Sequence, residues 1–324
     1  MVDAEKSPAE LFQTIKNWYN TCKESHELCR RPDGILHPLP TRVIDVGYNS
    51  SSLLSLLPSN GQKGHYAALS YCWGASQTFT TTAETFASRC SGFSLADLPQ
   101  TIRDAVITTR EMGLRYLWVD AICIIQGDAS DWASESTKMA QVYGNAEITI
   151  CATSSPDTIS GLFRPRWSAN KNAIAVQSRC SAGGQTGTMV LSTRLGSVDD
   201  VMDDAVLNTR AWCLQERILS HRIIHFAQDQ LYWECQQHLQ AEEGLNIPSP
   251  NSLKKSLRTR DPEPWSTMLR HWHATLVDYT RRNLSHLSDK LPAVSGLARM
   301  VYEQSQVDYV AGLWREDLPF ALLW

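Results

Sequence analysis

The sequence predicts an α/β protein: a mainly parallel sheet with helices on both faces, a β-hairpin insertion and a helical C-terminal extension. Apolar runs at Tyr66–Tyr71, Tyr116–Ile125 and Glu147–Thr153 alternate with helical stretches over 97–113 and 131–143. That order favours parallel pairing through right-handed crossovers. The runs are nearly continuous in apolar residues, as strands covered on both faces require. Polar chemistry sits inside them, above all Asp120 within YLWVDAICII. An unpaired buried carboxylate is costly, so a core alone does not account for it.

Residues 8–30 read as a helix with Leu11, Ile15, Trp18 and Cys22 on one face. Residues 31–65 are rich in Pro, Gly and Ser, with one short strand, TRVIDVGY. Tyr66–Tyr71 is the first central strand. Asp97 and Pro99 open a helix in which Ile102, Ala105, Val106 and Thr109 keep the helical period, and Gly113 closes it. Tyr116–Ile125 is the next strand, Asp131–Tyr143 the next helix and Glu147–Thr153 the next strand. Over 154–207 the alternation breaks, and AIAVQSR and TMVLSTR flank SAGGQTG as a hairpin insertion. A helix at Thr209–Ser220 and strands at Arg222–Ala227 and Gln230–Cys235 resume it. Residues 236–262 form a polar linker, and 264–304 are largely helical. The expected divisions are an extension over 1–65, an α/β core over 66–240 and a mostly helical extension over 241–324. The apolar ending LPFALLW suggests a protein that continues past Trp324, because termini normally fray into solvent.

Of 324 residues, 43% are apolar and 20% charged, which is the composition of a core-forming globular chain. A net charge of −4 without a basic stripe argues against a nucleic-acid partner. No apolar run approaches the ~18 residues that span a bilayer, and MVDAEKSPAE lacks a secretory apolar region. Nine cysteines, with Cys123, Cys151 and Cys235 in predicted strands, suit the reduced thiols of a cytoplasmic protein. Cys22, His26 and Cys29 offer three metal ligands, but a zinc site takes four and no fourth is apparent. Their helical spacing reads as packing, and no metal site is expected. Gly183, Gly184 and Gly187 lack the strand–loop–helix context and Lys-Ser/Thr of a phosphate loop. Neither a Gly-x-Ser-x-Gly elbow nor a His-Glu-x-x-His stretch occurs.

Three ordered blocks carry a family resemblance. They hold Ala68-Leu69-Ser70-Tyr71 with Trp73-Gly74; Leu98-Pro99 with Asp104, then Tyr116–Asp120, Cys123–Gln126, Asp131-Trp132, Glu135, Met139, Tyr143 and Ala146; and Arg210-Ala211-Trp212 with Leu214–Arg217, Ser220 and Arg222. Trp233-Glu234-Cys235 and Ala311–Trp314 extend the likeness. Together they resemble the fungal HET (heterokaryon incompatibility) domain. The resemblance implies an intracellular effector of allorecognition and programmed cell death, working through self-association or a receptor-type partner. The HET domain is in turn similar to TIR domains, whose sheet is flavodoxin-like. In many of those a Trp-Cys-x-x-Glu stretch carries the glutamate that cleaves NAD, and Trp212–Glu216 follows that spacing.

The likeness implies Glu216 as the catalytic carboxylate and sets Ser70-Tyr71 at the end of the first central strand. Asp120 is a second catalytic candidate, and Ser70, Tyr71, Trp73, Trp118, Gln126, Arg210 and Trp212 are substrate-binding candidates on the chemistry of their side chains. NAD or a related nucleotide would be the substrate, with no cofactor. Cleaving the nicotinamide–ribose bond passes through an oxocarbenium-like transition state. A carboxylate beside the ribose stabilises that charge, aromatic rings stack on the bases, and Arg holds phosphate. Structural alternatives stand beside these roles. Glu216 with Arg217 and Arg222 reads equally as a solvated helix face. Asp120 reads as a cap, or as a partner of Arg103 or Arg210; Glu135 as a helix-dipole residue; Gln126 as a partner for loop backbone. Two rival functions remain: a non-catalytic interaction module, and an enzyme acting on another small molecule.

Overall fold

The computed structural model describes residues 6–30, 36–47, 52–75, 78–166, 174–179, 186–191, 198–258 and 263–322. Ser7 opens helix α1 (Pro8–Ser25) with a capping box: its side chain accepts from the Glu10 amide while Glu10 reaches back to the Ser7 backbone. A 3-10 turn, Glu27–Cys29, follows. Strands β1 (Arg42–Asp45), β2 (Leu53–Pro58) and β3 (Tyr66–Ser70) come next, then α2 (Phe86–Ser91), β4 (Phe93–Ser94) and α3 (Gln100–Glu111). After β5 (Tyr116–Trp118) stand α4 (Asp120–Cys123), α5 (Ala129–Ser136), α6 (Met139–Asn145) and β6 (Ile148–Cys151). The insertion holds the hairpin β7 (Ile174–Arg179) and β8 (Thr186–Leu191), then α7 (Val198–Asp203). Helix α8 (Ala211–Leu219) leads to β9 (Arg222–Phe226), β10 (Leu231–Cys235), β11 (His238–Ala241) and β12 (Asn246–Pro248). The C-terminal part contains α9 (Ser252–Ser256), α10 (Trp265–Thr280), α11 (Pro292–Ser305), the ribbon β13 (Tyr309–Val310) with β14 (Leu313–Trp314), and α12 (Leu318–Ala321).

Ten strands form one mixed sheet in the order β12-β11-β10-β9-β6-β3-β5-β1-β2-β4. Its centre, β5-β3-β6-β9, is parallel, and these are the four strands whose apolar runs stand out in the sequence. Strands β3, β6 and β9 are buried along their whole length, which explains why they read as continuous apolar runs rather than alternating ones. The flanking strands pair antiparallel, including β1 and β2 from residues before 66. In chain order the parallel strands lie second-first-third-fourth, the order of doubly wound flavodoxin-like sheets, with its switch point at β3/β6. Right-handed crossovers then place α3 on one face and α6 and α8 on the other. Helix α1 joins α3 through Lys16–Glu111, 2.8 Å apart.

Two expected elements differ. The run Tyr116–Ile125 is a strand only to Trp118 and then turns into α4. The Asp120 carboxylate accepts its own neighbour's amide, Ala121 N–H, at 2.7 Å, and Val119 O accepts from Ile122 and Cys123, so the ladder stops. Continuous apolarity does not separate a buried strand from a buried helical turn. Cys123 therefore lies in α4, not in a strand. The single helix expected over 131–143 is two, α5 and α6, parted at Thr137–Lys138. Of the hairpin expected over 173–194, β7 and β8 pair antiparallel as a two-stranded sheet of their own, and the residues between them lie outside the described residues.

Candidate functional site

The carboxyl ends of β3 and β5 and the first turns of α8 converge on one polar cluster. Ser70 ends β3, and its hydroxyl donates to Glu216 Oε2 at 2.5 Å. Asp120 lies just past β5 and accepts from Trp73 Nε1 at 2.9 Å. Arg210 sits at the N-cap of α8 and donates to the Tyr71 carbonyl. Its guanidinium acts electrostatically on both carboxylates, and these repel one another. Burial pushes the Glu216 carboxyl above its usual range, against the opposing pull of Arg210, Ser70 and Tyr143. Burial raises Asp120 likewise, opposed by Arg210 and Trp73. For Arg210, burial disfavours the charge, but the surrounding Cys213, Glu216 and Asp120 outweigh it and hold the cation firmly.

Local sequence explains the placement. Gly74 has φ +74°, and a Cβ there would lie 2.5 Å from the Asp157 Cβ. Only glycine lets the loop after β3 pass so close under the loop after β6. Helix α8 is buried almost all round, including Gln215 and Glu216, as befits a helix held between a sheet and further helices. On its outer side Gln215 Oε1 accepts from Gly296 N–H of α11 at 3.1 Å. The segment before α11 clasps the start of α8: Ala211 N–H donates to Asn283 O at 2.9 Å, and Trp212 Nε1 to Asp289 Oδ2 at 3.1 Å.

Five residues gather here through three direct contacts, Ser70 with Glu216, Trp73 with Asp120 and Arg210 with the Tyr71 carbonyl, and Arg210 acts on both carboxylates through space. Three others do not join them. Trp118 is 1% exposed and packs edge-to-face on Tyr143, with ring centroids 5.8 Å apart. Gln126 turns its amide to the Asp120 and Ile124 carbonyls, the loop-backbone role. Trp212 faces Trp132 and Asp289. The solvated-face alternative for Glu216 is corrected: it is 4% exposed, and Arg222 is 3% exposed. Two participants were missed. Cys213 lies 3.7 Å from the Ser70 hydroxyl, and its i to i+3 spacing from Glu216 was a usable signal. Tyr143 donates to Leu69 O at 3.0 Å and lies against Glu216. Burial pushes the Cys213 thiol well up, so it stays protonated at neutral pH.

Behind the cluster lies a second buried network. Glu234, 0% exposed, accepts from Arg217 Nε at 2.8 Å, Lys254 Nζ at 3.0 Å and His225 Nε2 at 3.2 Å. It pins α8 and α9 to β9 and β10. A separate cavity of about 380 Å³ opens at the far end of β3, between Pro40, Asn60, Tyr66 and Lys138. It shares no residue with the carboxylate cluster.

The fold and the cluster define an α/β protein with one buried and one half-buried carboxylate around one guanidinium at a switch point of its parallel strands. Residues 66–216 match the family model of the heterokaryon incompatibility protein (HET), from the first residue of β3 to Glu216 itself. Over these residues, just under half of the chain, the protein is similar to a heterokaryon incompatibility domain. No curated protein and no solved structure matches the chain. Among the described residues, no helix is long and apolar enough to cross a membrane.

Proposed function

We propose that the protein is a cell-death effector of allorecognition that hydrolyses NAD or a related nucleotide at its N-glycosidic bond. The convergence of Asp120, Arg210 and Glu216 beside the β3/β6 switch point carries this reading. Trp212–Glu216 also keeps the spacing of the NAD-cleaving stretch of TIR domains. In the proposed step the C1′–N bond breaks and nicotinamide leaves as a neutral base with the bonding pair. Glu216 stabilises the oxocarbenium ion. Water adds at C1′ and gives its proton to Asp120 and then to solvent, leaving ADP-ribose, nicotinamide and one proton. Arg210 holds phosphate, and Trp73 stacks on a base.

Glu216 is 4% exposed and bonded to Ser70, so the state described is closed. Admission of a nucleotide requires the start of α8 to draw away from β3 and the clasp at Asn283 and Asp289 to release. Self-association or a receptor-type partner supplies that opening. The same burial favours one rival, a non-catalytic interaction module in which the cluster only holds α8 in place.

The test is purified protein, alone and fused to a tetramerising tag, incubated with NAD and analysed for nicotinamide and ADP-ribose. Cleavage is expected in the tetramer, with a loss of about a hundredfold or more in Glu216→Gln. An inert tetramer, together with cell killing that survives Glu216→Gln at constant NAD, selects the interaction module.

A further inference from the structure

Cys22, His26 and Cys29 do find a fourth ligand. Cys235, at the end of β10, joins them, and the three Sγ atoms and a His26 ring nitrogen all lie within 4.8 Å of one another. The three cysteines are 0% exposed and His26 is 6% exposed. Cys235 pairs with Arg222 at the start of β9, so the tetrad stands at the end of the sheet opposite the carboxylate cluster. We propose that this tetrad is a structural Cys3His zinc site that fastens the N-terminal helix to the sheet.

Donor type, number and geometry agree. Zn–S bonds of about 2.3 Å and Zn–N bonds of about 2.0–2.1 Å at tetrahedral angles place S and N ligand atoms roughly 3.5 Å apart. Cys235 Sγ and His26 Nδ1 are 3.4 Å apart. Tetrahedral sulfur and nitrogen donors select zinc among the common divalent ions, and four protein ligands close the site to water, as in structural rather than catalytic centres.

The surroundings suit thiolates. The His238 amide donates to Cys235 Sγ at 3.3 Å. The buried Arg222 guanidinium lies beside the Cys22 sulfur and donates to the Cys29 carbonyl at 2.9 Å. His221 Nε2 lies 3.0 Å from that same carbonyl. Three thiolates with Zn²⁺ carry one net negative charge, and Arg222, which also pairs with Glu147 at 3.0 Å, lies beside it. A disulfide would use only two of the three sulfurs and leave the third, with the imidazole, buried beside it. The site holds the turn Glu27–Cys29 and the end of α1 to β10, which is reached only after more than two hundred further residues.

The experiment uses the whole chain, purified under reductant from zinc-supplemented cells. Metal analysis should find about one zinc per chain in the wild type and in the control Cys90→Ser. It should find at least a tenfold loss in Cys29→Ser and Cys235→Ser. Serine variants risk misfolding, so His26→Cys supplies a second arm. It preserves four ligands and should retain zinc, while its Co(II)-substituted form shows stronger thiolate-to-metal charge transfer than that of the wild type. Modification of wild-type thiols with a mercurial should release zinc to a chromogenic chelator in proportion. Monodisperse wild type with less than about a tenth of a zinc per chain, or an intact mass showing a disulfide, overturns the assignment.

Discussion

Replacing Glu234 with Gln tests how α8 is held under the carboxylate cluster. Glu234 is wholly buried and is the shared acceptor of Arg217, Lys254 and His225. Burial by itself would raise its carboxyl, but Arg217 and Lys254 overcome that and hold it well below the usual range. Burial keeps His225 neutral by lowering its pKa, so the two long cations depend on this one anion. Lys254 has no side-chain exposure and would keep only the Arg217 carbonyl, at 3.3 Å. Breaking a buried pair from one side costs about 3–5 kcal/mol. At roughly 2–4 °C per kcal/mol, the melting temperature at pH 7 should fall by about 6–20 °C. Because the carboxyl is depressed in the fold, its contribution is present above the unfolded value near ~4.3 and fades as pH falls through the lower folded value. The gap between wild type and variant should therefore be full at pH 7 and close in strong acid. Adding Lys254→Met to Glu234→Gln removes one stranded cation and should recover part of the loss. Thermal melts followed by near-UV circular dichroism measure all three proteins. A shift within about 2 °C at pH 7, or a gap that widens in acid, would refute the account.

Other expectations follow from the same geometry. Glu216 has a raised carboxyl, so its ionisation weakens the fold as pH rises above the unfolded value near ~4.3; Glu216→Gln should match wild type in stability near pH 4 and exceed it at pH 7, as read by melts across that range. Gly74→Ala combines a positive φ with a 2.5 Å clash against Asp157, and should cost more than about 1 kcal/mol and speed proteolysis near residue 74; unchanged melting would disprove the close approach. Gln215→Ala removes the acceptor for the Gly296 amide and should cost about 1–3 kcal/mol, with faster hydrogen exchange confined to α8 and α11.

Much of the architecture is legible along the chain because its signals are local. The strands β3, β6 and β9 are buried on both faces, and that requirement writes itself as an unbroken apolar run. The start of α1 is equally local, since a capping box spans four residues. The same apolar signal misleads at Tyr116–Ile125, where a side chain, Asp120, competes for the backbone amide and ends the strand. Of the six antiparallel strands that widen the sheet to ten, β1 and β10 read as strands along the chain, while β2, β4, β11 and β12 are short segments that no local pattern names.

The site divides in the same way. Sequence alone set Ser70 and Trp73 at a strand end and Arg210 and Glu216 in the first turns of a helix, because those positions follow from the order of runs and breaks, whereas it left Asp120 inside a strand that the structure ends at Trp118. Only the tertiary structure decided that Arg210 serves both carboxylates, that Gln126 and Trp118 turn away, and that Glu216 is closed against Ser70. It also decided that Cys235 completes Cys22, His26 and Cys29. The physical reason is common to all of these. Hydrogen bonds, charge pairing and ligand clusters act over a few ångströms in space, whereas the sequence records only distance along the chain. Pairings that span from dozens of residues to two hundred are set by how the sheet and α8 pack.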